Sequence, residues 1–188
     1  MSFLSAEELP DVGFASVGRN VLISRKASFY GASRISIGDN SRIDDFCVVS
    51  AGAEGIVIGR HVHIAVMCVL MGAEKITLGD FSGYSSRVSI YSSSDDFSGA
   101  AMTGPTVPPE FTNVKSRPVS IGKHVIVGAG TVILPGVTIS EGSAVGAVSL
   151  VTKDIPAHEI YGGVPAKKVA ARKTDLYALE ARFNDQHG

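Results

Sequence analysis

Every sixth residue of this chain is aliphatic or aromatic over long stretches, and no other feature restricts its fold so severely. The beat runs Val17, Ile23 and Phe29, then Ile37, Ile43 and Val49, then Ile58, Ile64 and Leu70, then Leu78, Tyr84 and Ile90. After a break it resumes at Ile121, Val127 and Ile133, then Ile139, Val145 and Val151. Within each of these six groups of three the step is always six, whereas between groups it stretches to eight or nine at 29–37, 49–58 and 70–78. Extra residues therefore leave the chain at one recurring corner.

A period of six has a direct physical reading. Each hexapeptide is a short strand plus a turn, three hexapeptides make one triangular coil, and the aliphatic residue points into a narrow axis. Four places further on the chain repeatedly sets a small or β-branched residue, as at Ser41, Cys47, Val62, Cys68, Val125, Thr131 and Ser149, which fills the same layer. Gly follows the aliphatic at 18, 38, 59, 79, 122, 128 and 146, and Asp39-Asn40, Pro135-Gly136 and Glu141-Gly142 supply corner residues that tolerate positive φ. Six coils stacked at one strand spacing give a prism roughly 29 Å long. A β-sandwich is the ordinary alternative, but its strands alternate with period two and vary in length, whereas this count holds over eighteen positions. Cys47 and Cys68 fall in the same slot of neighbouring coils and are expected as buried, reduced thiols.

Composition agrees with a narrow core. Aromatic residues make up 7% with no Trp, and Gly reaches 21 of 188 residues. The net charge of −1 offers no basic footprint for nucleic acid or an anionic membrane. "MSFLSAEELPDVG" carries acids where a secretory leader would carry bases, and the longest apolar run, 64–73, is too short to span a bilayer. A cytoplasmic protein is expected, divided into an N-terminal segment 1–16, a repeat domain 17–170 and a tail 171–188.

The beat fails from about 93 to 118, "SDDFSGAAMTGPTVPPEFTNVKSRP", which holds four of the eight prolines. Such a stretch suits an extruded loop, and a loop that the scaffold does not need is commonly functional. The tail "KTDLYALEARF" places Leu176, Leu179 and Phe183 near one helical face, so a short helix is expected to pack on the end of the prism as a cap. Outward Val, Ile and Leu at 126, 132, 148 and 150 would leave apolar surface that another copy could cover.

The run "VSIGKHVIVGAGTVILPGVTISEGSAVGAVSLVTKDIP" with "YGGVPAKKV" resembles the hexapeptide-repeat acyltransferases, in the branch of maltose and galactoside acetyltransferases and the sugar acetyltransferases of surface polysaccharides. The resemblance implies an all-β chain, a left-handed parallel β-helix of about six coils, assembled as a homotrimer with acetyl-CoA in the cleft between prisms. Where those enzymes open the loop with a catalytic His, this chain has Asp95, and where they carry a substrate-contacting Asn it has Ala65. His63 lies two residues before Ala65, and strand alternation sends both outward on one face. His63 is thus the expected general base, with Asp95 or Asp96 orienting the imidazole or the acceptor. On the cofactor side the resemblance implies that the pantetheine arm passes the small Ala129 and Ala147. It also places Thr152 at the adenine end and Lys167 at the nucleotide phosphates, with Lys168 and Arg172 adding charge. His61 and His124 occupy turn positions and receive no role.

The leading expectation is acetyl-CoA-dependent O-acetylation of a sugar hydroxyl in surface-polysaccharide biosynthesis, with no metal. The alternative in the same class is N-acetylation of a nucleotide-linked amino sugar, which needs a weaker base because an amine attacks more readily. Two further classes are a carbonic-anhydrase-like metalloenzyme on the same prism, whose three-His arrangement the spacing of His61, His63 and His124 does not reproduce, and a non-catalytic assembly protein, against which the long loop and the "GVPAKK" ending argue.

Overall fold

The structure, a computed structural model, describes residues 2–187. They wind into a parallel β-helix whose three faces are sheets of six, eight and six strands. Face one stacks Ser16–Val17, Ile35–Ile37, Ile56–Ile58, Ile76–Leu78, Val119–Ile121 and Thr138–Ile139. Face two begins Leu22–Ile23, Arg42–Ile43, His63–Ile64, Gly83–Tyr84, Ile126–Val127 and Ala144–Val145, and face three runs from Ser28–Tyr30 to Leu150–Val151.

The six-residue beat is the register of these sheets. Val17 pairs with Ile37, Ile37 with Ile58, Ile58 with Leu78, Leu78 with Ile121 and Ile121 with Ile139. From the second coil onward every beat residue is at most 3% exposed. Each such side chain contributes about 1.5–3 kcal/mol of apolar burial. The intervening slots are buried too, and their hydroxyls are satisfied locally: Ser41 donates to Gly59 O at 2.8 Å and Thr131 to Gly146 O at 3.0 Å. Cys47 and Cys68 are free and buried, as expected. Cys47 and burial together push the Cys68 thiol well above the ordinary range.

Corners are where the chain departs from local preference. Between faces one and two Asn40, His61, Phe81, His124 and His158 all adopt φ of 55–58°. Between faces two and three Phe46, Met67, Arg87 and Val148 adopt φ of 53–62°. Asn and His tolerate this region, but Phe, Met and above all Val do not, so the stacked register imposes it at roughly 1–2 kcal/mol per residue. The Gly column beside the first corner answers a different need: a Cβ on Gly38 would stand 2.6 Å from the carbonyl carbon of Gly59 in the next coil.

Two features differ from the sequence reading. A partial seventh coil follows the sixth, with Ile155 bridging to Ile139 and Tyr161 pairing with Val145. It escapes the count because Ile155 follows Val151 after four residues instead of six. The strand Glu159–Gly162 then turns back through a cis Val164–Pro165 bond into Lys167–Ala171, and this antiparallel hairpin covers the last coil. Consequently the helix Leu176–His187 is not the end cap expected for it. It lies along the corner between faces one and two, where Phe183 meets His61 and Phe81, and Tyr177 meets His124 and His158. Leu176, Tyr177, Glu180 and Phe183 form the packed stripe, while Leu179 stays 59% exposed. The apolar strip of corner rings draws the helix there, and nothing in the tail itself records that strip.

Candidate active site

Ile64 is fully buried in face two, so alternation turns His63 outward. Its Nε2 lies 2.9 Å from Oδ2 of Asp44, whose other oxygen accepts from Arg42 Nε at 2.7 Å. The Asp44 side chain is 5% exposed and that of His63 53%. Beside the imidazole is a cavity of about 290 Å³ walled by Ala65, Gly83, Ser85, Ser86 and Ile126. The Cys47 thiol donates to Ala65 O at 3.0 Å and ties the cavity wall to the preceding coil.

From this cavity a path of small residues descends the corner between faces two and three. Ser85 N donates to Val127 O, Gly128 N to Val145 O and Gly146 N to Tyr161 O, so Ser85, Gly128, Gly146 and Gly162 follow one another coil by coil. Ser86, Ala129 and Ala147 form the adjacent column, and Ala129 and Ala147 are both exposed. The path ends at the hairpin that carries Lys167 and Lys168. Lys167 is exposed, whereas Lys168 is engaged with Glu159 at 2.5 Å, and that contact holds the Glu159 carboxyl below the usual range. Arg172 Nη1 donates to the carbonyls of His124 and Ser143 at 2.8 and 2.7 Å, which anchors this guanidinium to the coil corner. Thr152 is exposed just after Leu150–Val151, across face three from the alanine column.

The loop leaves the opposite corner, beyond face three, on a two-stranded base that pairs Ser93 with Ser116 and Ser94 with Lys115. Asp95 is half-buried and borders a cavity of about 540 Å³ formed by the loop with Pro105, Val107, Thr112 and Asn113. Asp96 is turned into the loop instead. Its carboxylate accepts from the Ser98 hydroxyl at 2.9 Å and from Ala100 N and Ala101 N at 3.0 and 3.2 Å. The Ser98 hydroxyl first, then those backbone N–H groups, hold it below the usual carboxylate range against desolvation. Within one chain, His63 and Asp95 therefore border different cavities at different corners.

Among the described residues no three His, Cys, Asp or Glu side chains gather as a metal site. The ring of Phe81 stands between His61 and His124, at centroid distances of 4.7 and 5.1 Å, so these imidazoles stack on a phenyl ring and do not face each other. Ser85 and Asp44 were the functional candidates that the sequence left unnamed. The recurrence of residues 44, 65 and 85 in one slot of successive coils was the signal that could have found them.

Fold, loop and small-residue wall together define a β-helical acyl-group transferase. No protein-family model matches the chain. It is 51% identical over 183 residues to dTDP-4-amino-4,6-dideoxy-D-glucose acyltransferase of Escherichia coli, covering 97% of this chain and 95% of the relative. It is 29% identical over 150 residues to galactoside O-acetyltransferase of Escherichia coli K12, covering 78% and 68%. Among solved structures it matches AntD, an N-acyltransferase from Bacillus cereus in complex with dTDP-4-amino-4,6-dideoxyglucose and coenzyme A, with TM-score 0.95, 48% identity and 98% of each chain covered. A maltose O-acetyltransferase from Clostridium difficile 630 shares the fold, with TM-score 0.61 at 24% identity. The chain belongs to the hexapeptide-repeat acyltransferase family, built as a left-handed parallel β-helix. Its homologues are acyltransferases, and the matched AntD structures hold coenzyme A or an acyl-CoA.

Proposed function

We propose that this chain transfers an acyl group from a coenzyme A thioester to the amino group of a nucleotide-linked 4-amino-4,6-dideoxy sugar. The near full-length relation to the amino-sugar acyltransferase carries this reading, since the O-acetyltransferase relatives match at only 32% and 29%. N-acylation therefore replaces O-acetylation as the leading expectation. The residue chemistry supports it: a carboxylate at Asp95 suits an amino group, which arrives as ammonium, better than it suits a hydroxyl.

In the proposed reaction Asp95 holds the amino group and His63 removes its proton. The nitrogen attacks the thioester carbonyl, the C–N bond forms, the C–S bond breaks, and coenzyme A leaves as a thiolate that is reprotonated. A backbone N–H is assigned to the oxyanion. Ser85 stands on the same cavity wall as Ala65 and Gly83. AntD has been crystallised with a serine or an aspartate ten positions further on replaced, and here the Ser85–Asp95 pair has that spacing. Ala129 and Ala147 leave room for the pantetheine arm, Lys167 and Lys168 lie at its phosphate end, and Thr152 is assigned to the adenine.

The working unit in this reading is a homotrimer. His63 and Asp95 come together only if the loop of one copy reaches face two of the next. Apolar surface supports that seam: Phe97 is 93% exposed on the loop, and Phe46, Met67 and Ile126 are 53%, 45% and 47% exposed near the His63 cavity. A cytoplasmic site and a role in surface-polysaccharide assembly complete the proposal. The two free thiols are compatible with the former, and a 32% identical relative is described as a putative lipopolysaccharide biosynthesis O-acetyl transferase. Among the described residues no helix is long and apolar enough to cross a membrane.

The test is thiol release from acetyl-CoA with dTDP-4-amino-4,6-dideoxyglucose against its 4-hydroxy counterpart. Turnover should require the amine. Equal release with the hydroxyl sugar would overturn N-acylation.

A further inference from the structure

The contact between His63 and Asp44 fixes more than a ring position. Arg42 and Asp44 are both on the coil before His63, and Arg42 pairs in register with it. Arg42 Nε can only donate, so Oδ1 of Asp44 at 2.7 Å must accept. The remaining oxygen, Oδ2, faces His63 Nε2 at 2.9 Å and accepts as well. A neutral His63 therefore carries its proton on Nε2 and presents Nδ1 as the basic nitrogen. The cavity of Gly83, Ser85 and Ile126 lies on the next coils, away from Asp44.

We propose that Asp44, oriented by Arg42, is the positioning residue that locks His63 in the Nε2–H tautomer, making Nδ1 the nitrogen that accepts the acceptor's proton. The proposal rests on His63 as general base and adds two residues that the reaction itself does not touch. It differs from simple packing because its consequence depends on which atom of an amide faces which neighbour. In Asp44→Asn the donor-only Arg42 keeps the amide oxygen on its own side, so the amide NH₂ is turned toward His63. Nε2 must then accept, the proton moves to Nδ1, and the nitrogen facing the acceptor is no longer basic. Shape and volume are nearly unchanged. Removing Arg42 as well releases the constraint: in Arg42→Ala/Asp44→Asn the amide can rotate, offer its oxygen to Nε2–H and restore the original tautomer.

The experiment uses full-length protein labelled with ¹⁵N-histidine, read at a pH where imidazole is neutral, together with steady-state kinetics. Wild type should show His63 with a protonated Nε2 and a bare Nδ1. Asp44→Asn should exchange the two signals and lose about 10²–10³-fold in kcat, the range of a misplaced general base, with KM for the acyl-CoA little changed. The double variant should return the wild-type nitrogen pattern and recover at least about tenfold of the lost kcat. An Asp44→Asn protein with the wild-type tautomer, or a double variant as slow as Asp44→Asn, overturns the lock. His63→Ala separates this from the underlying reading. Full turnover without the imidazole removes the general-base role, and in that case the nitrogen shifts, which do not depend on turnover, test the tautomer lock by themselves.

Discussion

His61 and Phe81 lie ring on ring across neighbouring coils, with centroids 4.7 Å apart and planes 2° from parallel, and Phe183 of the C-terminal helix meets both edge-on. Both stacked residues sit at positive φ, so the corner column exposes a ladder of rings that only an outside element can cover. Phe183→Ala should lower unfolding stability by about 1–3 kcal/mol, since a half-buried ring and two aromatic contacts are lost. Leu179→Ala, on the exposed side of the same helix, should stay within about 0.5 kcal/mol. Chemical denaturation of the two variants checks the contrast.

Acid should loosen this clasp. Desolvation raises the Glu180 carboxyl, but Lys123 at 2.5 Å and His124 at 2.8 Å outweigh it and leave the group below its ordinary value of 4.5. A depressed carboxyl stabilises the fold above the unfolded-state pKa and loses that contribution as pH falls through the folded-state value. Wild type should therefore melt higher than Glu180→Gln near neutrality, and the two melting curves should converge as pH drops below 4.5. A difference that persists unchanged in acid would contradict the ion-pair account.

Tyr84 occupies a core slot that the other five full coils give to Ile or Val, and among the described residues its Oη is the one buried side-chain polar atom without a hydrogen-bond partner. Ser82, nearby in sequence, donates instead to Gly79 O at 2.7 Å. Burial pushes the phenol well above its ordinary range. Tyr84→Phe should be neutral to stabilising, by up to about 1–2 kcal/mol, because it removes an unpaired group without changing the ring. A clear loss of stability in denaturant titration would mean that the hydroxyl is bonded.

The alanine column tests the donor path. Ala147 is exposed on the outer wall, so a larger side chain there is tolerated by the fold and obstructs what lies against the wall. Ala147→Leu should raise KM for acyl-CoA by about tenfold or more, equivalent to about 1.4 kcal/mol of binding, with an unchanged melting temperature. Calorimetric titration with coenzyme A gives the same answer without turnover.

Much of this architecture was legible in the sequence, and what was not has identifiable causes. The beat residues are simultaneously core positions and pairing register because a parallel β-helix stacks like on like, so a one-dimensional count carries three-dimensional information. The loop could be singled out for the same reason, as the place where the beat fails, and His63 through the family resemblance and strand alternation. Asp44 could not, since its role comes from a contact between coils, 19 positions away in sequence. The paired readings of Asp95 and Asp96 were also beyond the sequence: adjacent carboxylates look alike until one is seen bonded to Ala100 N and Ala101 N. The corner residues Phe81, Met67 and Val148 run against local propensity, and only the neighbouring coils explain them.

Because His63 and Asp95 border separate cavities in one chain, the most direct measurement is complementation between inactive subunits. His63→Ala and Asp95→Ala proteins, each inactive alone, are unfolded together, refolded as mixed assemblies and assayed for amine-dependent thiol release. If the loop of one copy completes the site of the next, random mixing leaves about one seam in four with both residues intact, and activity should return to roughly a quarter of wild type. Mixed assemblies as inactive as their parents would contradict a site shared between two copies.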